Sequence, residues 1–347
     1  MLSDEIDKEK LAKCLLKLNT ASFGGKLFQN MNDVDAFLKE KGKFKKPQIR
    51  ILAYYFKTGV LTFDNYQDEL LHNLMNYEEL KFSRLEEIQK SASYKTILAD
   101  VLRCKVNYER FVHDSQINDI DINLVMEDLK EVLGLIDVKY PSCKYVQGYD
   151  RYTLVLYLLG FQLCKFLEID KKFIPGLIFD LVYKFIRISD INNALDVERS
   201  SLYVLADDLI SKINHKTVKN NKIMSIYYAL NWRLIFFCDN HNYKDLLLIW
   251  DQILLHSSSQ SDLENYFAHL IAAHTYQAIQ QNELLLGPNL ISAIQSWTNF
   301  DVIALLKYVD SQVDIDSHQE RKIIITEEDI KKIRDDLDRQ KKSKNLL

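Results

Sequence analysis

The chain has 347 residues, 47% apolar and 27% charged, so it can bury a sizeable core without disulfides or metals. Nine Gly and four Pro leave it poor in turn formers, which argues against an all-β fold. A net charge of −4 gives no basic field for a dedicated nucleic-acid protein, and Cys14, Cys104, Cys143, Cys164 and Cys238 never form CxxC, so neither a disulfide framework nor a zinc site is indicated.

In chain order, the first residues mix acidic and basic groups where a signal peptide would carry a basic then an apolar segment, so a reducing, cytoplasmic setting is expected. Leu11, Leu15, Leu16 and Leu18 recur at helical spacing, and the same periodicity returns in almost every later segment. Breaks are expected at Phe23-Gly24-Gly25, Lys41-Gly42-Lys43, Lys57-Thr58-Gly59, Lys139 to Lys144, Asp170 to Lys172, Ser257 to Ser261 and Gly287-Pro288. The basic run Lys39, Lys41, Lys43, Lys45, Lys46 and Arg50 reads as a solvated surface or as peripheral contact with anionic lipid. Tyr152 to Phe166 is the most apolar stretch, but Gln162 and Lys165 interrupt it, which suits a buried helix and gives no transmembrane segment. Lys322 to Ile325 is the one strand-like run, and Thr326 to Leu347 reads as a charged helix with a fraying tail. No repeat of 33 to 47 residues recurs, so a solenoid is disfavoured and the expected class is all-α.

Two segments carry chemistry. In Ile97-x-x-Asp100-x-x-Arg103, helical spacing puts Ile97, Val101 and Cys104 on one apolar stripe and sets Arg103 beside its own carboxylate, Asp100. Alone, that pattern is equally that of an ordinary surface ion pair. In Tyr145-Val146-Gln147-Gly148, Gly148 can take a positive φ and Asp150 can cap a helix beginning near Arg151, so Gln147 projects near a partly positive helix end. A loop glutamine beside a cap has the same look. Taken in order, an arginine and a glutamine are the two groups a slow GTPase needs from outside.

These segments, followed by Asn231-Trp232-Arg233 and Ile249-Trp250-Asp251, resemble the TBC family of Rab GTPase-activating proteins, over roughly residues 45 to 285. The stretch Tyr145 to Tyr149 is most similar to the branch acting on the Rab of endoplasmic reticulum to Golgi traffic. The resemblance implies a two-lobed helical domain at 45–285, with an N-terminal helical extension at 1–44 and C-terminal helices and a charged tail at 286–347. It implies that Arg103 and Gln147 enter the nucleotide site of a bound Rab in vesicle traffic, on the cytoplasmic face of ER or Golgi membranes. It further implies that Asp100 holds Arg103, that Tyr145 packs beneath the glutamine loop, that Gly148 permits the turn, and that Asp150, Arg151 and Arg233 face the partner. No cofactor of the chain's own is implied, since Mg-GTP is held by the partner GTPase. Arg50 and Tyr54 loosely match an N-terminal arginine and tryptophan of the family, while Trp232 and Trp250 read as core and Asp251 as a cap.

Two departures stand beside the motifs: Cys104 takes the place of the family's usual threonine, and Asp150-Arg151 that of an amide or His-Asp pair. No GxxxxGK[ST], no GxGxxG after a strand and no HExxH occurs, His269 and His274 do not share a ligand-like spacing, and Glu86-Glu87 and Glu327-Glu328 read as solvated faces. A second reading is a scaffold that binds a GTPase or another protein without accelerating hydrolysis. Retention of both Arg103 and Gln147 favours activity.

Overall fold

Local chemistry sets the helix starts in the computed structural model, which describes residues 7–21, 28–41, 45–115, 117, 119–189, 201–213, 218, 224–281 and 287–317. Asp7 accepts from the Lys10 amide ahead of α1 (Lys8–Leu15), and Asn30 accepts from the Asp33 amide ahead of α2 (Met31–Lys39), each satisfying an otherwise orphan first-turn donor. Pro47, which has no N–H to lose, opens α3 (Pro47–Lys57). The next helices are α4 (Tyr66–Lys90), α5 (Tyr94–Arg103), α6 (Lys105–Ser115), α7 (Ile122–Lys139), α8 (Tyr149–Leu167) and α9 (Ile174–Ser189). They are followed by α10 (Ser201–Ser211), α11 (Ile226–Leu234), α12 (Tyr243–Leu255), α13 (Gln260–Gln281), α14 (Pro288–Ser296) and α15 (Val302–Ser317). Among the described residues there is no strand, and the class is all-α.

The expected breaks at Thr58-Gly59 and Tyr140 to Lys144 fall between helices and Gly287 directly precedes α14, whereas Asp170 leads into a short 3-10 turn, Lys171–Phe173, and the break expected over Ser257 to Ser261 ends at Ser259, where α13 takes over. The expected breaks at 23–25 and 42–43, the strand-like run 322–325 and the charged helix 326–347 lie outside the described residues. Two compact units are formed. The first comprises Met1–Ile188 and Ile235–Leu255, the second Ser189–Leu234 and His256–Leu347, so each is assembled from two separate stretches of chain.

In the first unit α8 is the central element. Its residues from Tyr152 to Phe161 are buried without interruption, and it packs on α3, α6 and α7, while α4 and α5 pack on α7. No described helix is long and apolar enough to cross a membrane. The Trp250 ring lies 5.0 Å from Phe185 and 6.3 Å from Phe236, and its indole N–H donates to the Phe236 carbonyl at 3.0 Å. Phe236 and Phe237 adopt positive φ of 48° and 62°, a conformation that costs an L-residue free energy and persists here because both rings are buried.

A second hub corrects two expectations. Asp251 sits inside α12 and caps nothing; its fully buried carboxylate accepts from Lys45 Nζ at 2.8 Å, Arg50 Nε at 3.1 Å and Tyr54 Oη at 2.9 Å. Lys45 and Arg50 are therefore unavailable to a lipid surface, and the basic run loses two of its charges to the core. Burial pulls the Lys45 ammonium below its ordinary range, against the pull of Asp251. Tyr54 serves as a hydrogen-bond donor in this hub.

In the second unit α13 packs against α10 and α15, and α11 against α14. Trp232 lies 5.4 Å from both Tyr228 and His274, and His274 lies 4.8 Å from Phe300, so Trp232 is core, as its spacing suggests. Arg233 is buried with its guanidinium 4.0 Å from the Phe267 ring centre, which places it in this core and away from any partner-facing surface.

Candidate functional site

The site begins with α5. Ile97, Val101 and Cys104 are fully buried, as their spacing requires, and this fixes the roll of the helix. Asp100 is thereby turned inward, 2% exposed, while the Arg103 side chain one turn on remains 56% exposed. The Arg103 guanidinium donates to Asp100 Oδ1, and the other oxygen, Oδ2, accepts from Tyr145 Oη at 2.9 Å. One buried carboxylate thus holds the arginine and the first residue of the glutamine segment together. Tyr145 acts through its hydroxyl as well as its ring, and burial beside Asp150 and Asp100 pushes its phenol far above the usual range, so it remains a donor at any working pH.

The glutamine segment is pinned at both ends. At its start, the Tyr145 amide donates to Asp137 Oδ1 at 2.8 Å, and the same buried carboxylate accepts from Ser93 Oγ at 3.0 Å and from Ser91 Oγ, which ties the segment to the residues just before α5. At its end, Gly148 adopts φ +111°, and a Cβ placed there would meet Ile235 Cγ2 at 2.7 Å. Both the backbone conformation and the close approach demand glycine. Between these anchors Gln147 is exposed, and its side chain makes no hydrogen bond among the described residues.

The helix starts two residues earlier than its expected cap implies. Gly148 is the N-cap residue, Asp150 lies in the first turn, and its Oδ1 reaches back to accept from the Gly148 amide at 3.2 Å. Asp150 is buried rather than partner-facing. Its Oδ2 accepts from the Cys104 thiol at 2.7 Å and from the Arg151 guanidinium. Burial raises the Asp150 carboxyl, although Arg151 draws it back down, and burial raises the Cys104 thiol well above its ordinary value. Cys104 therefore stays a protonated donor to the Asp150 carboxylate. Arg151 also turns inward, donating to Cys104 Sγ at 3.3 Å and pairing with Asp239 at 3.3 Å.

The structure thus brings Asp100, Arg103, Tyr145, Gly148, Asp150 and Arg151 into one connected network, with Gln147 projecting from it, and leaves Arg233 outside. Asp137 and Asp239 are members that motif reading does not single out, and Cys104, legible as part of the apolar stripe, is a member through its thiol. The two carboxylates meet the motifs only through folding, and a lone acidic residue carries no spacing signal. What the arrangement offers is a guanidinium oriented by a buried carboxylate and an amide held on a rigid, glycine-dependent turn. Such preorganised donors stabilise charge as it develops on an oxyanion. No cluster of three or more metal-ligating side chains occurs among the described residues.

No family model matches the chain, and no curated protein matches it in sequence. In three dimensions it is similar to the crystal structure of the Ypt/Rab-GAP domain of Gyp1p, with a TM-score of 0.61 and 13% identity, over 88% of this chain and 99% of that one. The chain has the fold of a Ypt/Rab-GAP domain.

Proposed function

We propose that the chain is a GTPase-activating protein for a Rab-type GTPase, with Arg103 and Gln147 supplied in trans to the partner's nucleotide site. The observation that carries this reading is the division of roles around Asp100: its carboxylate is buried and doubly bonded, while the arginine it orients and the glutamine on the linked segment remain at the surface. Docked on a GTPase holding Mg-GTP, Arg103 would stabilise the charge that develops on the transferring phosphoryl oxygens, and Gln147 would orient the attacking water. An arginine finger is worth about 10³ to 10⁵ in rate, roughly 4 to 7 kcal/mol of barrier. Arg103 is itself more than half exposed and Asp100 keeps the Tyr145 hydroxyl as a donor, so loss of the arginine costs folding far less than that.

The extent of the functional domain at 45–285, a role in vesicle transport, action on the ER-to-Golgi Rab and peripheral attachment to those membranes belong to the same proposal and rest on the resemblance of the motifs. The test is a single-turnover GTP hydrolysis panel with purified Rabs, comparing wild type with Arg103→Ala and Gln147→Ala. Wild type is expected to accelerate hydrolysis by at least one Rab, Arg103→Ala to abolish that acceleration, and Gln147→Ala to reduce it sharply, with unchanged circular dichroism and unfolding. Full stimulation by Arg103→Ala sinks the assignment. Binding of a Rab without acceleration by wild type transfers the chain to the scaffold reading.

A further inference from the structure

Behind the glutamine turn lies residues 235–242, a short connection between α11 and α12 that the motifs leave without a role. Within the first unit this segment touches the site from three directions. Ile235 packs directly on Gly148, at the point where a Cβ would collide. Asp239 pairs with Arg151 Nε at 3.3 Å. From α6, the Arg110 guanidinium donates to the carbonyls of Asp239 at 2.8 Å and Cys238 at 2.5 Å, which fixes the height of the segment. The positive φ of Phe236 and Phe237 bends the chain so that these contacts are made together.

Arg151 is where the supports converge. Its Nε faces Asp239, while its Nη1 reaches both Asp150 and the Cys104 sulfur. Cys104 directly follows Arg103, and Asp150 bonds the amide of Gly148, directly after Gln147. We infer that Arg151 and Asp239 are positioning residues for both fingers: they form an ion pair, Arg151 largely buried and Asp239 half-exposed, that ties residues 235–242 to the Gln147 turn and braces it against the end of the Arg103 helix. This rests on the GTPase-activating reading and adds to it residues that never touch the nucleotide. It also gives the two departures from the family pattern, Cys104 and Asp150-Arg151, one joint task. A guanidinium suits that task because its planar fork donates in several directions at once, which a lysine ammonium on the same stem cannot reproduce.

The experiment measures stimulation as a function of GTPase concentration for wild type, Arg151→Ala, Asp239→Ala and Asp239→Asn. It also measures amide hydrogen exchange of the 145–151 segment in the full chain, without any partner. Loosening a preorganised group by a fraction of an ångström costs catalysis more than binding. Arg151→Ala and Asp239→Ala are therefore expected to lower the maximal rate about 10- to 100-fold with a half-saturating GTPase concentration within about threefold of wild type. Asp239→Asn, whose amide oxygen still accepts from Arg151, is expected to recover most of the rate. Exchange across 145–151 is expected to rise about tenfold in both alanine variants, with protection elsewhere in the chain unchanged. A wild-type maximal rate in Arg151→Ala, a loss confined to half-saturation, or unchanged exchange at 145–151 overturns the inference. Full activity of Arg103→Ala would instead overturn the reading beneath it, and the exchange result stands whether or not a responsive GTPase is found.

Discussion

Replacing Gly148 with alanine strains the site in two separable ways. The residue holds φ +111°, a region an L-residue enters at a cost of about 1 to 2 kcal/mol. The added methyl would also lie 2.7 Å from Ile235 Cγ2, inside any ordinary carbon–carbon contact, and relieving such overpacking costs about 1 to 3 kcal/mol. Together Gly148→Ala is expected to destabilise the fold by about 2 to 5 kcal/mol and to displace Gln147, its immediate neighbour. Ile235→Ala removes the colliding methyl and leaves the backbone cost intact. In a double-mutant cycle read by urea unfolding, Gly148→Ala should thus cost less in the Ile235→Ala background, the difference being the steric share of about 1 to 3 kcal/mol. The single Ile235→Ala variant carries its own cavity cost, which the cycle cancels. A Gly148→Ala variant within about 0.5 kcal/mol of wild type, or a cost identical in both backgrounds, would refute the assignment of this glycine to a forced turn under Ile235.

Two further predictions concern stability. Asp251→Ala removes the carboxylate bonded to both Lys45 and Arg50, and breaking a buried ion pair in this way is expected to cost about 3 to 5 kcal/mol, measured by denaturant unfolding; a loss below about 1 kcal/mol would mean that the two cations find water or another anion instead. Burial among Trp232 and Phe300 lowers the His274 imidazole from 6.5 to about 3. Because the folded value is depressed, the contribution of neutral His274 is complete above pH 6.5 and is lost progressively as pH falls towards 3. Between pH 7 and 4.5 wild type should lose about 3 kcal/mol more stability than His274→Phe, and parallel pH profiles of the two proteins would contradict the burial of an uncharged ring.

Local pattern reaches as far as the helix and stops at the contacts between helices. The stripe Ile97, Val101 and Cys104 is legible because helical spacing alone decides which side is buried, and that in turn places Asp100 inward and Arg103 outward. The glycine in the glutamine segment is legible as a turn former, but its collision partner Ile235 lies far along the chain, and no local rule points to it. Asp150 looks like a cap because it directly precedes the apolar run expected to begin a helix near Arg151. The positive φ of Gly148 starts the helix earlier and hands the carboxylate to Cys104 and Arg151 instead. Arg151 and Arg233, which the resemblance sets facing a partner, are engaged within the fold, one on two carboxylates and one on a phenyl ring. The basic run misleads because the anion that neutralises Lys45 and Arg50 is Asp251, whose partners in space are remote in sequence.

That last pairing has a consequence for how the chain is made. The first unit needs its closing stretch Ile235–Leu255, yet all of Ser189–Leu234, which belongs to the second unit, emerges from the ribosome before it. At about 5 to 20 residues per second, Asp251 follows Arg50 out by roughly 10 to 40 s. Throughout that interval Lys45 and Arg50 lack the Asp251 carboxylate that bonds them both, so burying them with α3 carries an uncompensated cost until α12 arrives. A nascent chain arrested before Asp251 would present the apolar faces of α3 and α8 as a substrate for chaperones, whereas one arrested a few tens of residues later could shut its own core.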